Sequence, residues 1–143
     1  MAKEAIRYYE KSIFFFNKAG KETAVITAYT QLGNCYLMEH KNDSAFWSYR
    51  NGLSLADSIK DNALNSAIRQ NIGFALSKSG KHKEAIPYYR EALTHVNSDT
   101  EFGRIYCNMS ESFYNQKRND SARFYVNKAL ILPNIKNDKY QML

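Results

Sequence analysis

The sequence predicts an all-α chain, a solenoid of antiparallel helix pairs, and three observations carry that expectation. The chain has 143 residues, 44% of them hydrophobic, with only two Pro and six Gly. No alternating run in it is long enough to argue for a sheet. Helical periodicity is plain between Ser66 and Asn97. Arg69, Ile72, Gly73 and Leu76 fall at i, i+3, i+4 and i+7, and Ala85, Tyr89, Ala92 and Leu93 at i, i+4, i+7 and i+8, with Gly80 punctuating the two faces. That two-helix unit then repeats. KEA, KNDSA, KHKEA and RNDSA end on Ala5, Ala45, Ala85 and Ala122, spaced 40, 40 and 37 residues apart. On the other helix LGNCY (Leu32–Tyr36), IGFAL (Ile72–Leu76) and MSESF (Met109–Phe113) keep the same register.

The elements follow in order. Residues 3–20 read as the second helix of an incomplete unit, with Gly20 as its stop. Residues 22–60 form a repeat that pairs 22–39 with 43–59, with Asn42 or Asp43 as the cap of its second helix. The excess over a shorter period falls between units, as at 56–63, and reads as an extra helical turn. Residues 62–97 pair 62–79 with 83–96, and Pro87 is expected to bend the start of the latter. Residues 98–133 pair 99–116 with 120–132, opened by a capping box of Ser98 and Glu101 and closed by Pro133. Residues 137–143 read as the start of a further helix. Small residues at Gly73 and Ala85 are expected to meet at a close helix crossing. Both ends fall inside the repeat pattern, so the chain reads as a piece of a larger protein. Its first helix is expected to expose Ile6, Tyr9 and Ile13, a stripe suited to homo-oligomerisation.

Composition excludes more than it selects. The net charge of +6, with a pI near 9.3, is spread over turns such as Lys81–Lys83 and Lys117–Arg118, with Glu84 and Asp120 beside them. That is a solvated edge of mixed sign. Aromatic residues at helix–helix positions are expected to be core, which argues against nucleic acid. Cys35 and Cys107 form no metal or redox motif and are expected to be buried free thiols, which favours a reducing compartment and leaves an extracytoplasmic sensor open. His40, His82 and His95 are expected to be solvated and have no i, i+4 partner for a metal. No nucleophile elbow, phosphate loop or paired buried carboxylate is present, so no enzyme, cofactor or catalytic residue is expected. Neither a signal peptide nor a membrane span is legible.

These residues resemble the tetratricopeptide repeats, whose units carry an aromatic, Leu-Gly and Tyr on one helix and Ala, an aromatic and Ala on the next. The first unit supplies Tyr29, Leu32, Gly33, Tyr36, Ala45 and Tyr49, with Gly52 in the last slot. The second supplies Ile72, Gly73, Ala85, Tyr89 and Ala92, with Arg69 for the first aromatic and Leu76 for Tyr. The third supplies Tyr106, Met109, Phe113, Ala122 and Ala129, with Ser110 for Gly and Val126 for the aromatic. The resemblance covers essentially the whole chain, but the period of 37 to 40 residues exceeds the family's usual length of about 34. Longer repeats of that kind resemble those of bacterial regulatory and peptide-sensing members.

The resemblance implies a right-handed superhelix whose first helices line a peptide-binding groove. Its expected residues are Gln31, Asn34, Gln70, Asn71, Phe74, Arg104, Asn108 and Glu111. Some members clamp a terminal carboxylate with two Asn and three cations. Here Asn34, Asn71 and Arg104 match, while Thr30 and Asn108 stand where cations would. The expected partner is therefore an internal acidic or polar peptide segment. The alternative is a structural spacer or an oligomerisation array without a groove ligand.

Overall fold

A computed structural model describes residues 1–132 of the chain. Among them stand seven helices: α1 (Ala2–Lys18), α2 (Glu22–Met38), α3 (Asn42–Ile59), α4 (Asn62–Lys78), α5 (His82–Leu93), α6 (Asp99–Asn115) and α7 (Asn119–Leu130). They pack as sequential antiparallel pairs, α2 on α3, α4 on α5 and α6 on α7, with α1 laid against α2. Neighbouring pairs meet through α3–α4 and α5–α6, and the first helices α2, α4 and α6 touch one another in turn. The expected Pro133 stop and the expected helix at 137–143 lie outside the described residues.

The turn inside each pair is built the same way three times. Lys41, Lys81 and Arg118 donate their backbone N–H to the carbonyls of Tyr36, Leu76 and Phe113, at 2.9, 2.8 and 2.9 Å. This is the six-to-one bond of a Schellman closure, and the residue before each donor must turn left-handed. Those residues are His40, Gly80 and Lys117, with φ of 58°, 79° and 60°. The donor is also the N-cap of the next helix, since Ala45 N–H already bonds the Lys41 carbonyl. That corrects the expected cap. The turn is too tight to leave Asn42 or Asp43 outside the helix, so both fall in its first turn and no side chain caps it.

Other boundaries shift for physical reasons. The extra turn expected between units exists in α3, which has 18 residues and ends at left-handed Lys60. In the next unit α5 stops at Leu93, and the excess is the loop 94–98. Pro87 is the sixth residue of α5 and lies past its first turn, so it forgoes the backbone bond to Lys83. The capping box forms in part: Glu101 N–H donates to Ser98 Oγ, and Ser98 Oγ–H donates to Glu101 Oε2 at 3.0 Å. Asp61 caps α4 by accepting from Leu64 N–H at 3.0 Å.

The core runs continuously from Ile26 and Tyr49 through Ile68, Ile72 and Tyr89 to Met109 and Phe113. Gly73 makes room for the Tyr89 ring rather than for Ala85. A Cβ on Gly73 would stand 2.7 Å from Tyr89 Cε1, and Gly33 is covered by Tyr49 in the same way. Arg69, in a slot where the pattern has an aromatic, is 8% exposed and joins three helices. It donates to Asn65 on its own helix, to Glu91 of α5 at 2.9 Å and to Asp57 of α3 at 3.3 Å.

The expected surface needs two corrections. On α1, Ile6 is buried and Tyr9 and Ile13 are half-buried against α2, so the uncovered side chains are Tyr8, Phe14 and Phe15. Aromatics are not confined to the core either, since Trp47, Phe74, Tyr114 and Phe124 are exposed. Three of the exposed rings carry a lysine overhead, Lys18 on Phe14 at 4.6 Å, Lys78 on Phe74 at 5.2 Å and Lys128 on Phe124 at 5.3 Å.

Candidate functional site

The turn geometry fixes which faces of α4 and α6 look at each other, and a groove opens between them. One compartment, about 390 Å³, is lined by Ala67, Gln70, Asn71 and Phe74 of α4 and by Glu101, Arg104 and Asn108 of α6. A second, about 210 Å³, continues past Phe74 and Asn108 to Ser77, Lys78, His82, Tyr89 and Glu111. Six of the eight expected residues thus come together: Gln70, Asn71, Phe74, Arg104, Asn108 and Glu111. Phe74, 44% exposed, is the wall common to both compartments.

The other two do not join them. Asn34 is committed to the fold, because its Oδ1 accepts from Tyr49 O–H at 2.6 Å. Gln31 is exposed on α2 and lines neither compartment. Thr30, in a cation slot of the clamp pattern, donates its hydroxyl to the Ile26 carbonyl. The two asparagines of a carboxylate clamp are therefore not presented together.

In the larger compartment the chemistry is that of polar recognition. Asn71 and Asn108 are half-buried, and their amides make no hydrogen bond to another described residue. Gln70 Nε2 donates to Ser66 Oγ at 3.0 Å, which leaves its carbonyl oxygen free to accept. Arg104 forms no ion pair with a described residue. Glu101, one turn away, is engaged by the Ser98 hydroxyl. An unpaired guanidinium beside free amides suits a carboxylate or a backbone carbonyl.

The smaller compartment is mixed in sign. Lys78 Nζ lies 5.2 Å over the Phe74 ring, across from Glu111. Burial pushes the Tyr89 phenol up to about 12, the Ser77 hydroxyl draws it back, and Glu111 adds to the rise. His82 corrects the expectation of a solvated residue. It opens α5, is half-buried, and its enclosed Nδ1 has no hydrogen-bond partner among the described residues. His95 is not on a helix but in the turn after α5, with Nδ1 3.0 Å from Asn62 Oδ1.

Sequence reasoning missed Glu101, His82 and Tyr89 as lining residues. Glu101 was absorbed by its capping role, and the other two reach the groove from α5, a second helix. Spacing of the internal repeat places Tyr89 under Gly73, which is the signal that could have found it. Cys107 is exposed rather than buried, while Cys35 is half-buried with its thiol pushed up by burial. Cys107 lies with Ser110, Tyr114, Ala122, Arg123 and Val126 in a hollow of about 510 Å³ on the α6–α7 face.

A model of the tetratricopeptide repeat family matches residues 24–98. No curated protein matches the chain in sequence. Among solved structures, BtubC from P. vanneervenii superposes with a TM-score of 0.85 at 16% identity, over 95% of this chain and 58% of that one. The Rap conjugation gene regulator of the plasmid pLS20, solved with a bound peptide, gives 0.77 at 18% identity, over 93% and 37%. The TPR domain of Arabidopsis FLU gives 0.69 at 19%, over 76% and 94%. This chain thus spans little more than half of BtubC and about a third of the Rap regulator.

Proposed function

The chain belongs to the tetratricopeptide repeat family, and on that premise we propose that it is a non-catalytic scaffold whose α4–α6 groove holds an extended peptide segment with an acidic side chain. The observation that carries this reading is Arg104: a cation without an ion pair, set in a hollow beside the unengaged amides of Asn71 and Asn108. The amides would fix main-chain carbonyl and N–H groups, and Arg104 would fix the acidic group. Phe74 would take apolar contact at the middle of the segment. Because Asn34 is held by Tyr49, a free terminal carboxylate gains nothing special here.

The test is titration of acidic and neutral peptide libraries, read by fluorescence anisotropy. Arg104→Ala should weaken the acidic binder by roughly 1–3 kcal/mol, and Asn71→Ala by less. A C-terminal amide on the peptide should change little. Loss of binding on amidation would restore the clamp, and absence of any peptide-induced thermal stabilisation would sink the groove reading. A finer reading is a segment of a bacterial signalling or transcription-regulatory protein. The long repeat period and the peptide-bound Rap regulator support it, the latter through fold alone. The sequence contiguous with this chain in its genome tests that. Exposed Tyr8, Phe14 and Phe15 favour the second reading, an oligomerisation array, which sedimentation across a concentration series would reveal.

A further inference from the structure

We propose that the smaller compartment of the α4–α6 groove takes a primary amide, the side chain of a glutamine or asparagine three residues from the acidic residue held by Arg104. The inference rests on the peptide-binding reading above and adds to it the second residue that the groove recognises.

The compartment, about 210 Å³, carries one charge of each sign on facing walls. Lys78 stands on the α4 wall, its Nζ 5.2 Å over the Phe74 ring, and Glu111 stands on the α6 wall. They form no ion pair with each other or with another described residue. Nor does the Glu111 carboxylate accept a hydrogen bond among the described residues, since Asn115 donates to its backbone carbonyl. Glu111 also edges the α6–α7 hollow. Burial first, with Glu111 adding to it, raises the Tyr89 phenol, so the carboxylate's charge is felt inside the compartment. The Ser77 hydroxyl, by contrast, is already paired with Ser112 at 2.8 Å.

A group entering this space therefore meets one charged donor and one charged acceptor. A carboxylate would satisfy Lys78 and be repelled by Glu111. An ammonium would satisfy Glu111 and be repelled by Lys78. An apolar side chain would strip water from both and give nothing back. A primary amide has an oxygen to accept from Lys78 and N–H groups to donate to Glu111, with no charge of its own. Both of its hydrogen bonds would be to charged partners, which are the stronger kind. Selection comes as much from what the pair of charges turns away as from what it holds.

The spacing follows from α6. Arg104, Asn108 and Glu111 lie at i, i+4 and i+7, on one helix face. Seven residues of helix advance about 10.5 Å, and three residues of extended chain advance about 10 Å. A peptide laid along α6 with its acidic side chain on Arg104 thus brings the third residue beyond it to Glu111. Asn108 stands between, with its amide free for the intervening main chain.

The probes are fluorescein-labelled, acetylated and amidated peptides of alanine and serine. Each carries one glutamate and, three residues to one side or the other, Gln, Leu, Lys or Glu. Anisotropy on adding the chain should show the Gln peptide of one orientation bound about tenfold more tightly than its Leu, Lys and Glu counterparts. Moving the Gln to the second or fourth residue should remove that advantage. Arg104→Ala should weaken all four peptides and keep their order. Glu111→Gln leaves only the cation, so preference should pass to the Glu peptide. Lys78→Met leaves only the acid, so preference should pass to the Lys peptide. Both side chains are exposed, so both variants should fold. Equal uptake of the four peptides, still dependent on Arg104, would overturn this inference and leave the groove reading standing. So would a Gln preference that survives both Glu111→Gln and Lys78→Met, or one indifferent to its distance from the glutamate. Failure of the unaltered chain to take up any of the peptides would overturn both.

Discussion

The third repeat exchanges volume across a helix contact, and that exchange can be transplanted. Gly73 and Tyr89 in the second repeat correspond to Ser110 and Val126 in the third, a larger residue facing a smaller one. In Gly73→Ser the new Cβ would lie 2.7, 2.9 and 3.0 Å from Cε1, Cζ and Cδ1 of Tyr89. That ring is 1% exposed, so it must shift to accommodate the new Cβ. Overpacking of this kind costs roughly 1–3 kcal/mol. The helix propensity of Ser over Gly returns about 0.5 kcal/mol, so a net loss of roughly 0.5–2.5 kcal/mol is expected. Tyr89→Val removes the ring and should cost about 2–4 kcal/mol through lost burial and the cavity left behind.

The double variant should cost less than the sum by roughly 0.5–3 kcal/mol, because each change relieves the other. A further gain is available. Ser110 Oγ donates to the Ala122 carbonyl at 2.8 Å, and by the repeat register a serine at position 73 would face the equivalent carbonyl of Ala85. Urea unfolding followed by far-UV circular dichroism measures all four corners of the cycle, with constant m as the control. Additivity within about 0.5 kcal/mol would refute the reasoning, as would a Gly73→Ser variant as stable as the parent.

Three further outcomes are expected. Lys117 turns left-handed where Gly80 does, at φ of 60° against 79°, so Lys117→Gly should stabilise by roughly 0.5–1 kcal/mol and Gly80→Ala destabilise by about 1 kcal/mol in thermal melts. Arg69→Met strands the amide of Asn65, which is 2% exposed, and should cost roughly 1–3 kcal/mol. Asp57 and Glu91 are 52% and 64% exposed and rehydrate, so that loss should persist in molar salt, whereas a loss erased by salt would assign it to the ion pairs. Tyr89 is held at about 12 in the folded state against an ordinary value of 10. Its contribution is therefore fully present below pH 10 and is lost as pH rises towards 12, by about 1.4 kcal/mol per pH unit. Tyr89→Phe should flatten that part of the stability curve, and an unchanged slope would count against an enclosed phenol.

The helices and their order were legible because each level of the sequence points the same way: periodic apolar faces, repeated small residues, and the cap at Ser98. The repeated Gly–Tyr pairing is equally present in the sequence, but which partner each glycine makes room for is a matter of ring placement, and periodicity assigned it to Ala85 instead. Caps were misplaced by a residue because Asn42 and Asp43 have the right chemistry, while the Schellman closure before them dictates where the helix begins. Arg69 could be seen to break the pattern. Its three partners lie on three helices, at sequence distances of 4, 12 and 22, and nothing local announces them.

The groove shows the same division between position and state. The family resemblance set which face of each first helix was expected to look inward, yet polar residues at equivalent positions differ in what they have left to offer. On α2 three of the four inward polar groups are turned back on the protein: Thr27 and Thr30 hydroxyls bond the carbonyls of Thr23 and Ile26, and Asn34 holds Tyr49, while Gln31 is exposed. On α4 the residue in the Asn34 position is Phe74, which cannot take up the Tyr89 hydroxyl and instead projects between two compartments. On α6 the residue in the Thr27 position is Arg104, too long to fold back as a threonine does and in no ion pair with a described residue, since Glu101 one turn away is engaged by Ser98. Unengaged polar groups therefore concentrate at the second half of the array. There, departures from the repeat pattern have left side chains whose hydrogen bonds are still to be made.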